Sequence, residues 1–222
     1  MIIRLPSVYL GTMTFGWRGQ TSSFVDTPIA TKMIEQFLSN YQTDDGVHHI
    51  DCARIYAGGD SEKILRDALA AHTATSPAIL LGTKAHPSQP GGLSEEGLLQ
   101  QLQKSFDALG VESVDEYYLH QPDENKSLLE SLPTCDKLIK QGKITSIGMS
   151  NYHASEVQRA FDLCDAHGLA KPSVYQGLYN PLNRCIEAEL LPVLRKNGCK
   201  FIAYNPLAAG VSFFSYVGSI SL

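Results

Sequence analysis

The sequence predicts an α/β fold, a (β/α)8 barrel of the TIM type carried through about seven strands and left incomplete, and three observations predict it. Short β-rich runs alternate with longer stretches whose apolar residues recur every three or four positions, the pattern of repeated βα units. Six successive strand candidates deliver a chemically capable side chain at their C-terminal ends, where a barrel of this kind assembles a site from many strands. No G-x-G-x-x-G follows an early strand, so the phosphate loop of an open, doubly wound sheet is not marked.

The strands are expected at 8–12 (VYLGT), 47–50 (VHHI), 79–83 (ILLGT), 114–119 (VDEYYL), 144–149 (ITSIGM), 173–176 (SVYQ) and 200–203 (KFIA). The first has the weakest pattern. Between them, the segment after Pro28 places Ile29, Met33, Phe37 and Tyr41 on one helical face. The next helix, opened by Asp60 or Ser61 as N-cap, aligns Ile64, Leu65, Ala68 and Leu69. Ser94 caps a helix carrying Leu98, Leu102, Phe106 and Leu109 that stops at Gly110. A helix over 126–141 carries Leu128, Leu132, Cys135 and Leu138 and stops before Gly142; helices over 154–167 and 184–197 end at Gly168 and Gly198.

The 222 residues suffice for one core and fit two only loosely. Charged residues make up 18%, hydrophobic residues 43%, and the formal charge is -5. No broad basic surface is therefore on offer to nucleic acid or to acidic membranes, and the expected partners are small molecules. Five cysteines, Cys52, Cys135, Cys164, Cys185 and Cys199, are odd in number and show no Cys-x-x-Cys spacing. That argues against a disulfide framework and against a zinc or other metal site, and fits a reducing cytoplasmic location. The opening MIIRLPSVYLG is broken by Arg4 and Pro6, so it reads neither as a secretory signal nor as a membrane span.

At the strand ends stand Asp51, Lys84, His120, Ser150 with Asn151, Gln176 and Tyr204. Singly, an aspartate there is usually a turn former and a histidine a hydrogen-bonded structural group. Together they suit carbonyl reduction, which needs hydride at carbon and a proton at oxygen from a donor still protonated near neutral pH. Tyr56 is such a donor, but an unperturbed phenol with a pKa of about 10 is a weak acid, and a cation beside it favours the phenolate. Lys84 can supply that charge, Asp51 can hold the ammonium and offset its burial, and His120 can orient the substrate oxygen. No side chain supplies hydride, so a nicotinamide must share the rim. Trp17, just past the first strand, can line a substrate pocket.

Asp51, Tyr56, Lys84 and His120, in the contexts HIDCARIY, LLGTK and EYYLH, resemble the catalytic tetrad of the aldo-keto reductases. GTMTFG at 11–16, IGMSNY at 147–152, VYQGLYN at 174–180 and AYNPLAAG at 203–210 agree with that resemblance. With LHQPD at 119–123 they look most like the aflatoxin-aldehyde reductase branch. The resemblance spans about 1–210. It implies NADPH-dependent reduction of aldehydes and ketones to alcohols, with Tyr56 as general acid, Lys84 and Asp51 tuning it, and His120 orienting the carbonyl. It further implies that Ser150, Asn151 and Gln176 bond the nicotinamide carboxamide and that Tyr204 stacks on the ring. Gly11, Thr12 and Met13 match a loop bordering cofactor and substrate, and 205–210, with Asn205 and Leu207, a loop near the pyrophosphate.

The sequence divides into 1–210, the barrel, and 211–222, VSFFSYVGSISL, which has no charge, no helix cap and no periodic apolar face. Relatives by that resemblance continue through a seventh helix, an eighth strand, further helices and the residues that grip the adenosine 2′-phosphate. The tail is therefore expected to be divergent and the barrel truncated. An active reductase, a catalytically incompetent fragment, and a Schiff-base lyase using Lys84 as nucleophile stand as the candidate functions, with a homo-oligomer among the candidate assemblies.

Overall fold

The structure, a computed structural model, describes residues 7–19, 24–41, 46–72 and 78–210. Seven strands form one sheet: β1 (Tyr9–Gly11), β2 (Val47–Asp51), β3 (Ala78–Ala85), β4 (Val114–Leu119), β5 (Ile144–Ser150), β6 (Val174–Leu178) and β7 (Lys200–Tyr204). Each strand pairs in parallel with its neighbours in chain order. Helices α1 (Thr27–Asn40), α2 (Asp60–Ala71), α3 (Glu95–Leu109), α4 (Leu128–Lys140), α5 (Ala154–His167) and α6 (Leu190–Lys196) make the crossovers. The sheet curls into part of a (β/α) barrel, as expected, and among the described residues β1 and β7 each have one partner strand. The expected tail, 211–222, lies outside the described residues.

Register decides which side chains meet. Gly11 pairs with Asp51 and Asp51 with Gly82; Lys84 pairs with Tyr118, Tyr118 with Gly148, Ser150 with Gln176, and Gln176 with Ile202. Since residues two apart share a face, Asp51, Lys84, Tyr118, Gly148, Ser150, Gln176 and Tyr204 all belong to one face. Successive pairings step toward the C-terminal end, the stagger that closing a barrel requires. The opposite faces of the strands pack under the helices in one core, with Ile50, Tyr117, Leu119, Ile147, Met149 and Tyr175 all buried.

Helix ends follow local chemistry. Asp26 caps α1, its carboxylate accepting from the Ile29 N–H at 3.1 Å, with Pro28 in the first turn. Ser94 caps α3 through the Gly97 N–H, and Gly110 ends it at φ +70°, a conformation that costs glycine little. The buried faces of α3 and α4 contain the expected residues, although Leu128 is only partly covered.

Three expectations need correction. The buried face of α1 is Ala30, Ile34, Phe37 and Leu38, whereas Ile29 and Tyr41 are exposed. Two apolar stripes lie side by side on this helix; the inner one packs on the core, and the outer one lines a hollow beside edge strand β1 with Val8 and Leu10. Gly59, not Asp60 or Ser61, is the N-cap of α2; the Ser61 hydroxyl instead donates to the Phe15 carbonyl at 2.6 Å. The helix expected over 184–197 is a 3-10 turn at Cys185–Glu187 followed by the shorter α6. Pro192 has no N–H to offer the carbonyl of residue 188 and its ring crowds that group, so the helix begins two residues before the proline.

Candidate active site

The rim at the C-terminal ends of β2, β3 and β4 holds the expected four residues together. Asp51 ends β2, Lys84 lies in the last turn of the β3 pleat, His120 follows β4 directly, and Tyr56 opens the 3-10 turn between β2 and α2. The Lys84 side chain is wholly buried. Its ammonium donates to Asp51 Oδ2 at 2.6 Å, to the Cys52 carbonyl at 2.8 Å and to Tyr56 Oη at 3.4 Å. Burial is the largest single influence and disfavours this charge, but Asp51, Tyr56 and Cys52 together outweigh it and hold the ammonium pKa above its ordinary value.

Tyr56 is buried, and its phenol pKa lies above 10 because desolvation outweighs the pull of Lys84, with Asp51 adding to the rise. On the sequence, the Lys84 cation is expected to favour the phenolate. It does act in that direction, yet in the protein alone it only reduces the larger effect of burial. The His120 ring meets the Tyr56 ring edge-on at 5.7 Å. Burial first, then the charges of Lys84 and His86, push its pKa down to about 3, so the imidazole is neutral across the physiological range. Among the described residues Asp51 Oδ1 and His120 Nδ1 are buried without hydrogen-bond partners.

The expected cofactor contacts divide. Ser150 and Gln176 are buried on the same face. The Ser150 hydroxyl accepts from Asn151 Nδ2 at 3.0 Å and keeps its own hydrogen, while the Gln176 amide has no hydrogen bond among the described residues. Asn151, at φ +63°, spends its amide hydrogens on Ser150 and on the His120 carbonyl at 2.9 Å, and its Oδ1 accepts from the Tyr204 hydroxyl at 2.9 Å. It therefore braces the rim, tying β4, β5 and β7 together. Tyr204 ends β7 with its hydroxyl tethered and its ring about one-third exposed, and a ring so held is one on which a flat heteroaromatic group can stack.

Thr12 is buried, its N–H and hydroxyl both directed to the Asp51 carbonyl at 2.9 and 3.0 Å. That clamps the base of Asp51 and leaves the side chain no hydrogen for a ligand. Gly11 has open space where a β-carbon would stand, and Met13 is exposed. The Trp17 ring lies 6.4 Å from that of Tyr56, which puts it beside the donor. In the loop after β7, Asn205 Oδ1 accepts from the Ala209 N–H at 2.7 Å and Leu207 is exposed.

Three neighbours escaped the sequence reading. His86 stands edge-on to His120 at 5.1 Å and accepts at Nδ1 from the Ser88 N–H at 3.1 Å; its position two residues past Lys84, at the end of β3, was the available signal. Arg54, mostly covered, and Glu62, wholly buried, form an ion pair behind Tyr56. A hollow between α3 and α4, lined by Glu95, Leu129, Pro133 and Lys137, belongs to the outer helical layer and touches none of these groups. Among the described residues no cluster of three or more His, Cys, Asp or Glu could hold a metal, and no helix is long and apolar enough to cross a membrane.

A curled parallel sheet whose rim brings a buried lysine–carboxylate pair, a phenol and a neutral imidazole together defines an incomplete (β/α) barrel with its titratable groups gathered at the C-terminal ends of the strands. A profile of the Aldo/keto reductase family matches residues 7–218, and the chain belongs to that family. It is 36% identical over 206 residues to aflatoxin B1 aldehyde reductase member 2 of Rattus norvegicus, covering 93% of this chain and 53% of that protein. It is 37% identical to oxidoreductase sirO of Leptosphaeria maculans, covering 93% and 61%, and 36% identical to human aldo-keto reductase family 7 member A3, covering 93% and 59%. The chain thus spans between half and two thirds of the length of these curated relatives.

Proposed function

We propose that this protein reduces aldehydes and ketones to alcohols, with Tyr56 giving the proton and NADPH as the nicotinamide cofactor. The observation that carries the reading is the reach of one buried ammonium, Lys84, to both Asp51 at 2.6 Å and Tyr56 at 3.4 Å. The bound nicotinamide would supply the hydride. The rim fits such a group, since Ser150 offers a hydroxyl hydrogen, Gln176 an amide unpaired among the described residues for a carboxamide, and Tyr204 a tethered ring. Asn151 would hold Tyr204 and the His120 backbone in place, and Asn205 and Leu207 would border the cofactor from the loop after β7. Family membership, with relatives named as reductases, supports the choice of NADPH and of a carbonyl substrate.

Neutral His120 would donate a hydrogen bond to the substrate oxygen from Nε2. Its charged form would add a second cation near Lys84, which burial disfavours. Tyr56, adjacent to the same oxygen, would release its proton as negative charge develops there, and the Lys84 ammonium would stabilise the phenolate left behind. Met13 and Trp17 would border the substrate, and Gly11 and Thr12 the cofactor, Thr12 acting through Asp51. Lys84 as a Schiff-base nucleophile finds less support, because its nitrogen is protonated, wholly buried and engaged by three acceptors. We further place the barrel domain at 1–210, the tail at 211–222 and the protein in the cytoplasm.

The test is turnover of a reactive aldehyde, followed by loss of nicotinamide absorbance. Tyr56→Phe should lower kcat by about a hundredfold or more and leave cofactor affinity within about twofold. Undiminished turnover in the Phe variant would reject Tyr56 as the acid. Absence of turnover in the unaltered chain, despite cofactor binding, would favour the catalytically incompetent reading.

A further inference from the structure

We propose that Arg54 and Glu62 form a positioning pair that fixes Tyr56 against Lys84, an inference that deepens the reading of Tyr56 as proton donor and rests on it. Arg54 lies two residues before Tyr56. Its Nη1 donates to Glu62 Oε2 and, at 3.2 Å, to the Lys104 carbonyl on α3; its Nη2 reaches the Gly58 carbonyl at 3.5 Å. Glu62, with no exposed side-chain surface, takes the Thr83 hydroxyl on its other oxygen at 2.7 Å. The Arg54 N–H donates to the Lys84 carbonyl at 3.2 Å. The guanidinium thus joins α2, α3 and the Gly58 carbonyl beyond Tyr56, Glu62 extends the pair to Thr83 on β3, and the Arg54 backbone N–H ties the residue before Tyr56 to Lys84.

The turn it grips would not hold its shape unaided. Ala57, Gly58 and Gly59 follow Tyr56 at φ +46°, +65° and +100°, three left-handed residues in succession, one of them with a side chain. Such conformations persist where the surroundings over-determine them. Gly59 shows how closely the parts fit, because a β-carbon there would fall inside the guanidinium of Arg54. Arginine suits this place, since its planar fork keeps two directions of donation at once where an ammonium is a single point. A pair that merely fastened α2 to α3 would have no reason to engage the Gly58 carbonyl beyond Tyr56 and, through Thr83, the residue that precedes Lys84 on β3.

The experiment measures the coupling between Tyr56 and Lys84 directly. A fluorinated tyrosine at position 56, whose more acidic phenol titrates where the fold is stable, is followed by fluorine NMR in four proteins: unaltered, Lys84→Met, Arg54→Met, and the double variant. The groups facing the phenol are Lys84, Asp51 and Cys52 from the β2–β3 side and His120 from β4. With Arg54 present, Lys84→Met should raise the phenol pKa by about a unit or more, the effect of losing a cation at this distance. With Arg54→Met in place, the same replacement should move it by less than half as much. Gly59→Ala should act like Arg54→Met, and Arg54→Lys should fall between. In turnover, Arg54→Met should lower kcat about tenfold or more with the aldehyde KM within about twofold.

An undiminished effect of Lys84→Met in the Arg54→Met background overturns the proposal, and if that background does not fold, the same result in Arg54→Lys or Gly59→Ala does so. The NMR readout needs no turnover. A silent enzyme with the coupling lost on Arg54→Met counts against the proposed reaction alone, whereas a working enzyme with the coupling intact counts against the positioning pair alone.

Discussion

Gly148 on β5 lies so close to the ring of Tyr118 on β4 that a β-carbon at residue 148 would overlap the ring carbons. The same ring sits 5.5 Å from the Lys84 ammonium, and its hydroxyl donates to Glu116 Oε2 at 2.6 Å. The absence of a side chain on one strand therefore seats an aromatic ring, and that ring forms part of the surroundings of the central cation.

Gly148→Ala should accordingly destabilise the fold by about 1–3 kcal/mol, the usual cost of overpacking, as read from the shift in a urea midpoint at constant slope. Ala at the Gly11 position, where no described residue stands in the way, is the control and should cost under about 1 kcal/mol. Equal effects at the two positions would mean that Tyr118 yields and that the close approach is not a constraint.

Asp51→Asn keeps the shape of the side chain and removes the charge that Lys84 contacts at 2.6 Å. Breaking one side of a buried pair leaves an uncompensated ammonium and costs roughly 3–5 kcal/mol, while removing both partners costs much less. The double variant Asp51→Asn/Lys84→Met should therefore be more stable than Asp51→Asn alone. A double variant as unstable as the sum of the two single ones would show that the pair is not energetically coupled.

The strands were legible because buried parallel strands read as short apolar runs closed by a polar residue, as ILLGTK and ITSIGMSN do. Asp51, Lys84 and His120 were legible because each stands at such a closing position, whereas Tyr56, in the turn after β2, was read from its place in HIDCARIY. Less could be read where one sequence offers two answers: α1 carries two adjacent apolar stripes, and only the tertiary contacts choose Ala30 and Ile34 over Ile29 and Met33. The bracing role of Asn151 could not be read either, since its partners His120 and Tyr204 are 31 and 53 residues away. Arg54 and Glu62 are only eight apart, but a left-handed turn intervenes, and no periodic rule predicts a contact across it.

Thiol reactivity checks the fold without reference to catalysis. Cys185 is exposed, and Cys52, Cys135, Cys164 and Cys199 are buried; burial pushes the Cys52 and Cys135 thiols up to about 12, with Glu62 adding to the rise at Cys52. Thiolate is the reactive form. Brief treatment with a maleimide at neutral pH should modify Cys185 first and the others only after denaturant is added, as located by mass spectrometry of peptides. Rapid labelling of Cys52 in the native protein would contradict the packing of the rim.

The pH dependence of stability offers a check on His120. Its pKa in the folded protein is about 3, lowered first by burial and then by Lys84 and His86, against about 6.5 when unfolded. A histidine held neutral in the fold contributes stability that is fully present above the unfolded value. As pH falls below 6.5 the unfolded chain takes up a proton that the native state refuses, so stability declines by up to about 1.4 kcal/mol per pH unit until the folded value is reached. Asp and Glu begin to contribute below about pH 5, so the informative window is pH 6.5 to 5. Across that window the unaltered protein should lose urea-unfolding free energy faster than His120→Gln, which has no such proton to exclude. His86, whose pKa burial also lowers, contributes in the same direction and remains in both proteins, so it cancels from the difference. Parallel stability curves for the two proteins from pH 6.5 to 5 would show that His120 titrates normally, and a neutral donor beside Tyr56 would then have to be abandoned at mildly acidic pH.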